Sequence, residues 1–186
     1  MKIISEKNSI LHIELPSGET TKISKEDRWI IKKFPVWGVT GSKSKYVFCE
    51  RAIETEYSKV RERLYLHRLV VHGDLIKTTR CEQVDHIDRD KMNNIRSNLR
   101  ICSLAQNRAN VGPKNGKKYK GVFDRSKYPA NRTLKKPFVA YIDCKSRGIN
   151  RKYLGYFKTA KEAAFAYDKE AKKIYGEFAY LNIPDV

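Results

Sequence analysis

The chain has 186 residues, room for one domain or two small ones, and its 39 Lys and Arg against 21 Asp and Glu give a formal net charge of +18. An excess of that size attracts a polyanion, nucleic acid first and an anionic membrane surface second. No run approaches the ~20 apolar residues of a spanning helix, and the opening Met1-Lys2-Ile3-Ile4-Ser5-Glu6-Lys7 has no apolar run of signal-peptide length, so a helical membrane protein is excluded and a cytoplasmic or nucleoid-associated one expected.

Residues 2 to 23 alternate apolar and polar positions around Pro16-Ser17-Gly18-Glu19, which predicts a hairpin turning at Ser17-Gly18 with Leu11, Ile13 and Leu15 on one face. Ser24 is placed to cap a short helix from Lys25 to about Lys33. Gly38 to Lys45 reads as a loop and Tyr46 to Cys49 as a strand. Arg61 to Val71 mixes both periods; a strand entering a short helix at His67 fits best. Trp29 and Trp37 are expected as core anchors. The four cysteines, Cys49, Cys81, Cys102 and Cys144, contain no C-x-x-C pair, which argues against a structural zinc and for reduced, packed thiols.

Residues 81 to 111 form a ββα pattern: a strand from Cys81 to Ile87, a polar loop from Asp88 to Asn94, a strand from Asn98 to Cys102, and a helix capped by Ser103 and running to about Asn110. Inside it lie Asp85-His86, Asn98 and Gln106-Asn107. Phosphodiester hydrolysis needs a base to take a proton from the attacking water, and histidine titrates near neutrality. It also needs charge neutralised on the leaving oxygen, which a hard divalent cation on oxygen ligands can do. Asp88, Asp90 and Asn93 superficially suggest a calcium loop, but its required glycine and glutamate are absent. Asn93 and Asn94 read as turn formers rather than ligands. His12 and His72 read as incidental.

Residues 84 to 108 resemble the H-N-H homing endonucleases of phages and mobile introns, in the subtype ending on Asn. The D-H-I-D…N-N…N-L-R…Q-N pattern carries the resemblance. It implies His86 as general base, Asp85 and Asn107 as ligands of one divalent metal (magnesium, with manganese the alternative), and Asn98 as the brace of the hairpin loop through backbone hydrogen bonds. His67-Arg68 resembles the His-Arg pair found upstream in that family. Next to such a site Arg68, Arg96, Arg100 and Arg108 are candidates for phosphate contact.

Gly112 to Lys118 reads as a linker. Beyond it, strands are expected at 119–125, 138–145 and 152–157. A helix follows from Ala160 to about Tyr175, capped by Thr159 and stopped by Gly176, with Ala163, Ala164, Tyr167, Ala171 and Ile174 on its packing face. Tyr119-Lys120-Gly121-Val122, Phe138-Val139-Ala140, Tyr153-Leu154-Gly155-Tyr156-Phe157 and Glu162-Ala163-Ala164 resemble the Apetala-type DNA-binding domain of plant ethylene-response factors. That resemblance implies a three-stranded antiparallel sheet entering the major groove, backed by one helix. Base preference does not carry over, because Phe123, Tyr141, Asp143, Phe138 and Tyr153 depart from the plant pattern. From Gly112 to Ala160 fourteen Lys or Arg stand against Asp124 and Asp143. Lys120, Arg125, Arg147, Arg151 and Lys152 are the DNA-contact candidates, and the aromatics are expected to pack the sheet.

The expectation is therefore an α+β protein: an N-terminal β-rich extension (1–60), an H-N-H ββα-metal nuclease domain (61–111), a linker (112–118) and an Apetala-type DNA-binding domain (119–186). It is expected to act on double-stranded DNA as a site-specific, metal-dependent endonuclease, as a monomer or weak dimer, without a membrane or small-molecule cofactor. The alternatives are a sequence-specific DNA-binding regulator with an inactive nuclease unit and a protein that binds structured RNA.

Overall fold

The computed structural model describes residues 1–41, 45–54, 58–74, 82–128, 133–144 and 149–184, and it divides the chain into two compact units, Met1–Cys102 and Ser103–Val186. The architecture is α+β. Among the described residues no helix is long and apolar enough to cross a membrane.

The first unit opens with β1 (Lys2–Lys7), β2 (Ile10–Glu14) and β3 (Thr20–Ser24), paired antiparallel in that order. The expected hairpin at Ser17-Gly18 is present, with Gly18 at φ +87°, but an extra strand precedes it. The β1–β2 turn uses Asn8 and Ser9, both at positive φ (50° and 61°). That pair of left-handed residues is what a tight hairpin turn requires, and Asn-Ser signals it more weakly than Asn-Gly. Leu11, Ile13 and Leu15 are buried, as the alternation requires, together with Ile23. Ser24 does not cap the following 3₁₀ turn and α1 (Arg28–Lys33); its hydroxyl instead accepts the N–H of Arg96 at 3.0 Å.

Next come β4 (Trp37–Val39), β5 (Val47–Glu54) and β6 (Lys59–Tyr65), an antiparallel meander that runs straight into α2 (Leu66–His72). Trp37 is buried edge-on against Phe34 and its indole N–H donates to the Phe34 carbonyl. Trp29 is not an anchor: it stands 37% exposed. The strand pair β7 (Gln83–His86) and β9 (Leu99–Cys102) is antiparallel and sets Asp85 opposite Arg100 and His86 opposite Leu99. Between them β8 (Asn93–Asn94) pairs in parallel with β3, matching Ile23 to Asn94. One core holds the whole unit, with the hairpin residues packed against Ile30, Phe34, Val47, Leu66, Leu69, Val70, Val84 and Leu99. Cys49 is fully buried, and burial pushes its thiol up to about 11, so it behaves as a small hydrophobe. Cys102 is buried as well; Cys81 and the side chain of Cys144 lie outside the described residues.

The second unit begins with α3 (Leu104–Asn110), whose N-terminus is a capping box: the Ser103 hydroxyl accepts the Gln106 N–H, and the Gln106 side chain accepts the Ser103 N–H. Then β10 (Val122–Asp124), β11 (Phe138–Cys144) and β12 (Ile149–Phe157) form an antiparallel sheet in sequence order. Helix α4 (Ala160–Tyr175) lies on one face, capped by Thr159 and ended by Gly176 at φ +56°. Ala163, Ala164, Tyr167 and Ala171 are buried against Val122, Ala140 and Ile142, because small side chains let the helix approach the sheet closely. Gly121, at φ +75°, is where that approach is tightest: a Cβ there would meet the Tyr167 ring at 2.1 Å and the Tyr141 carbonyl oxygen at 2.5 Å. The buried Asp168 carboxylate accepts the backbone N–H groups of Asn182 and Ile183, and Asn182 in turn brackets the backbone of Lys120, which ties the tail to the first strand.

Candidate active site and nucleic-acid interface

In the first unit Asp85 and His86 end β7 side by side, 6% and 4% exposed. The Asp85 Oδ2 accepts from Arg100 Nη2 at 3.0 Å and Nε at 3.2 Å, so this carboxylate carries a charge-assisted contact from the facing strand. His86 Nε2 lies 3.1 Å from Asn94 Oδ1. The protons of this contact follow from its neighbours. Asn94 Nδ2 faces the Lys91 carbonyl at 3.2 Å, and a carbonyl only accepts, so the amide nitrogen is on that side. Asn94 Nδ2 also donates to Thr21 Oγ1 at 3.0 Å, while that hydroxyl donates to the Met92 carbonyl at 2.7 Å. Asn94 Oδ1 therefore accepts from His86 Nε2–H, and in the neutral ring the lone pair resides on Nδ1. Burial lowers the His86 pKa, ahead of the raising effects of Asn94 and of Asp88, Asp85 and Asp90, which keeps the ring neutral at physiological pH.

Asn98 organises the loop between the strands. Its Oδ1 accepts the Asp88 N–H at 3.1 Å, and its Nδ2 donates to the Asn93 carbonyl and to Asp88 Oδ1, each at 2.8 Å. Burial opposes the Asp88 charge, but the amide donors of Asn93 and Asn98 and the Asp90 N–H outweigh it and leave the pKa below its ordinary value. His67, on α2, stacks near His86 with ring centroids 5.2 Å apart. Burial first, and repulsion from His86, Arg68, Lys91 and His72 after it, bring His67 down to about 3. Among the described residues its buried Nδ1 meets no hydrogen-bond partner. Tyr46 completes the aromatic wall, with Lys91 4.2 Å above its ring.

Two residues here escaped the sequence reading. Asn94 is 1% exposed and holds the imidazole, where a turn former was expected. Thr21, fully buried, comes from the N-terminal hairpin. The available signal was Thr21 itself, an inward-facing hydroxyl beside Ile23 on an otherwise apolar strand face, which must find a partner.

The proposed metal donors separate between the units: Asp85 is on β7, and Asn107 is half-buried on α3. Both offer hard oxygens, the donor type a divalent magnesium or manganese ion takes. Among the described residues no group of three or more His, Cys, Asp and Glu side chains gathers that could hold a metal.

The arginine and lysine candidates occupy different settings. Arg96 is bound to the fully buried Asp27 at 2.6 and 3.1 Å and to Glu26 at 3.0 Å, and Arg100 to Asp85. Arg68 is half-buried on α2 and Arg108 exposed on α3. Lys120 donates through Nζ to the Ala109 carbonyl at 2.6 Å, closing the end of α3. Lys152 lies opposite Ile142, on the helix side of the sheet, and reaches Glu170 of α4 at 2.8 Å. Arg125 lies over the Tyr156 ring, and Arg151 pairs with Asp143 at 3.0 Å beneath Tyr141. Arg147 lies outside the described residues. The aromatics expected to pack the sheet stand partly in solvent: Phe123, Tyr153 and Tyr156 are 41%, 49% and 43% exposed.

No protein-family model matches the chain, and no solved structure matches it. An uncharacterized HNH endonuclease of Acanthamoeba polyphaga mimivirus is 26% identical over 156 residues, spanning 84% of this chain and 71% of that protein. The dehydration-responsive element-binding protein 2D of Arabidopsis thaliana is 44% identical over 79 residues, 42% of this chain, and the chain spans only 34% of that relative's length. The corresponding protein 2A of the same plant is 53% identical over 47 residues, 25% of this chain and 14% of its own length. The chain thus carries distant similarity to an HNH endonuclease along most of its length, and shorter, higher similarity to plant response-element-binding proteins.

Proposed function

We propose that the chain is a site-specific, metal-dependent DNA endonuclease in which residues 61–111 cut and the sheet of the second unit grips the duplex. The observation that carries the reading is the buried, neutral His86 whose Nε2 is occupied by Asn94, directly beside the buried carboxylate side chain of Asp85. His86 Nδ1 is the base that takes the proton of a water as its oxygen bonds to phosphorus. The P–O3′ bond breaks and the departing O3′ takes a proton from solvent water, leaving a 5′-phosphate and a 3′-hydroxyl. Asn98 keeps the loop from Asp88 to Asn93 closed around that strand end. A divalent cation on Asp85 and Asn107 would supply neutralisation of charge at the leaving oxygen. The net charge of +18 and the similarity to a protein named as an HNH endonuclease support the same substrate. The expected domains remain 1–60, 61–111 and 119–186, with 112–118 as linker.

The Arg100 guanidinium on Asp85 favours one second reading, a DNA-binding regulator whose cutting unit is silent. Plasmid nicking decides between them. Supercoiled DNA with the full chain and magnesium or manganese should be nicked, EDTA should stop it, and His86→Ala should lose at least 100-fold in rate while keeping its DNA affinity. Undiminished nicking by His86→Ala would remove the proposed base, and no nicking under any metal would leave the regulator.

A further inference from the structure

The outer face of the second unit's sheet has a chemistry of its own. Strand alternation turns Val122, Ala140, Ile142 and Leu154 toward α4 and turns Phe123, Val139, Tyr141 and Tyr153 away from it. Val139 pairs with Phe123 on one side and Tyr156 on the other, and it is only 3% exposed. Tyr141 pairs with Tyr153. The rings run in a chain: Phe123 to Tyr141 at 6.2 Å, Tyr141 to Tyr153 at 5.7 Å, Tyr153 to Tyr156 at 5.3 Å. Cations border it, with Lys117 3.8 Å from the Phe123 ring centre, Arg125 4.8 Å from that of Tyr156 and Arg151 5.8 Å from that of Tyr141.

An apolar floor inside a basic rim fits a polyanion that presents carbon between its charges. Three strands span roughly 10 Å, which suits the ~12 Å major groove of a duplex and not the ~6 Å minor groove. Within that groove the thymine 5-methyl is the apolar group on the four base pairs' edges. Guanine is read by a bidentate arginine or lysine, but here Arg151 is held by Asp143 and Arg125 is stacked on a ring. The tyrosine hydroxyls can bond to several base edges, so discrimination falls to the rings.

We propose that this face reads A·T-rich duplex DNA by seating thymine 5-methyl groups against Phe123, Tyr141, Tyr153 and Tyr156 in the major groove. The proposal rests on the DNA-binding half of the function above and is independent of cleavage.

The primary test uses the unsubstituted chain. The full chain, in EDTA, is titrated with an A·T-rich duplex, with the same duplex carrying deoxyuridine for every thymidine, with a G·C-rich duplex of equal length, and with one A·T-rich single strand. Removing a buried methyl weakens binding about fourfold, so two seated methyls give a preference of roughly 15-fold for thymine over uracil. Tyr153→Ser should shrink that ratio, whereas Arg125→Gln should weaken both duplexes alike and leave the ratio standing. Equal affinity for the thymine and uracil duplexes overturns the proposal while leaving DNA binding intact. Tighter binding to the single strand overturns it in favour of base stacking, and failure to bind any of the four removes the DNA-binding reading as well.

Discussion

Asn94→Asp separates a positioned general base from a merely buried histidine. The substitution keeps an oxygen 3.1 Å from His86 Nε2 but exchanges the amide for a carboxylate. The change costs stability, because the Lys91 carbonyl then faces an acceptor instead of Nδ2–H; leaving such a group unsatisfied costs about 1–3 kcal/mol. The larger effect is on protonation. An opposite charge within hydrogen-bond range raises a histidine pKa by about 1–3 units. In the parent protein burial holds the His86 pKa below its ordinary value, so the unprotonated ring dominates at pH 7 and the acidic limb of the rate profile lies below about 6.5. In Asn94→Asp the acidic limb should move up in pH by about 1–3 units, so nicking should fall along that limb and meet the parent rate again at high pH. The assay is single-turnover plasmid nicking from pH 5.5 to 9.5, with thermal denaturation as the check on folding. A folded Asn94→Asp variant whose rate profile overlies that of the parent, or whose loss is equal at every pH, refutes the assignment of Asn94 as the group that sets the ring's proton.

How far the sequence was legible depended on whether an element's determinants were local. Helix α4 was readable to the residue, because Thr159 caps it, Gly176 ends it, and its small residues recur at helical spacing. The capping box at Ser103 and Gln106 fixed the start of α3 in the same way. The strand–loop–strand that carries Asp85, His86 and Asn98 was legible locally, whereas a bracing role for Asn98 was only implied by the family resemblance. Asn94 was not. The pair Asn93-Asn94 carries a turn signal, and what overrides it is Thr21, 73 residues away, brought in by a two-residue parallel bridge that no local pattern encodes. The same distance hid the N-terminal extension's part in the site, since Ser24 and Asp27 look like helix-start residues until Arg96 arrives to use them. On the sheet, period-two alternation assigned strands correctly but left open which face each aromatic would take, and the faces decide what the rings can do.

Two further predictions concern buried charge. His67 takes a proton only near pH 3 when folded, whereas an unfolded histidine takes one near 6.5. The unfolded state thus binds more protons between those values, so stability is lost as pH falls through that window, at about 1.4 kcal/mol per unit. From pH 6.5 to 5 the loss is about 2 kcal/mol, read from urea midpoints, and His67→Phe should flatten that slope; an unchanged slope would place the acid sensitivity elsewhere. Arg96 provides the sharper case, because it looks like a phosphate contact and is built like a structural residue. Asp27 is fully buried, burial raises its pKa, and the Arg96 guanidinium, the first lowering influence on it, meets both carboxylate oxygens. Removing one partner of such a pair leaves a charge without compensation and costs about 3–5 kcal/mol. In a unit of this size that lowers the melting temperature by at least ~12 °C in Arg96→Ala. Asp27→Asn combined with Arg96→Gln should recover much of it, since no stranded charge remains. If Arg96→Ala instead melts like the parent and loses DNA affinity with a shallower salt dependence, the residue is a phosphate ligand, and its bond to Asp27 is a resting contact that DNA displaces.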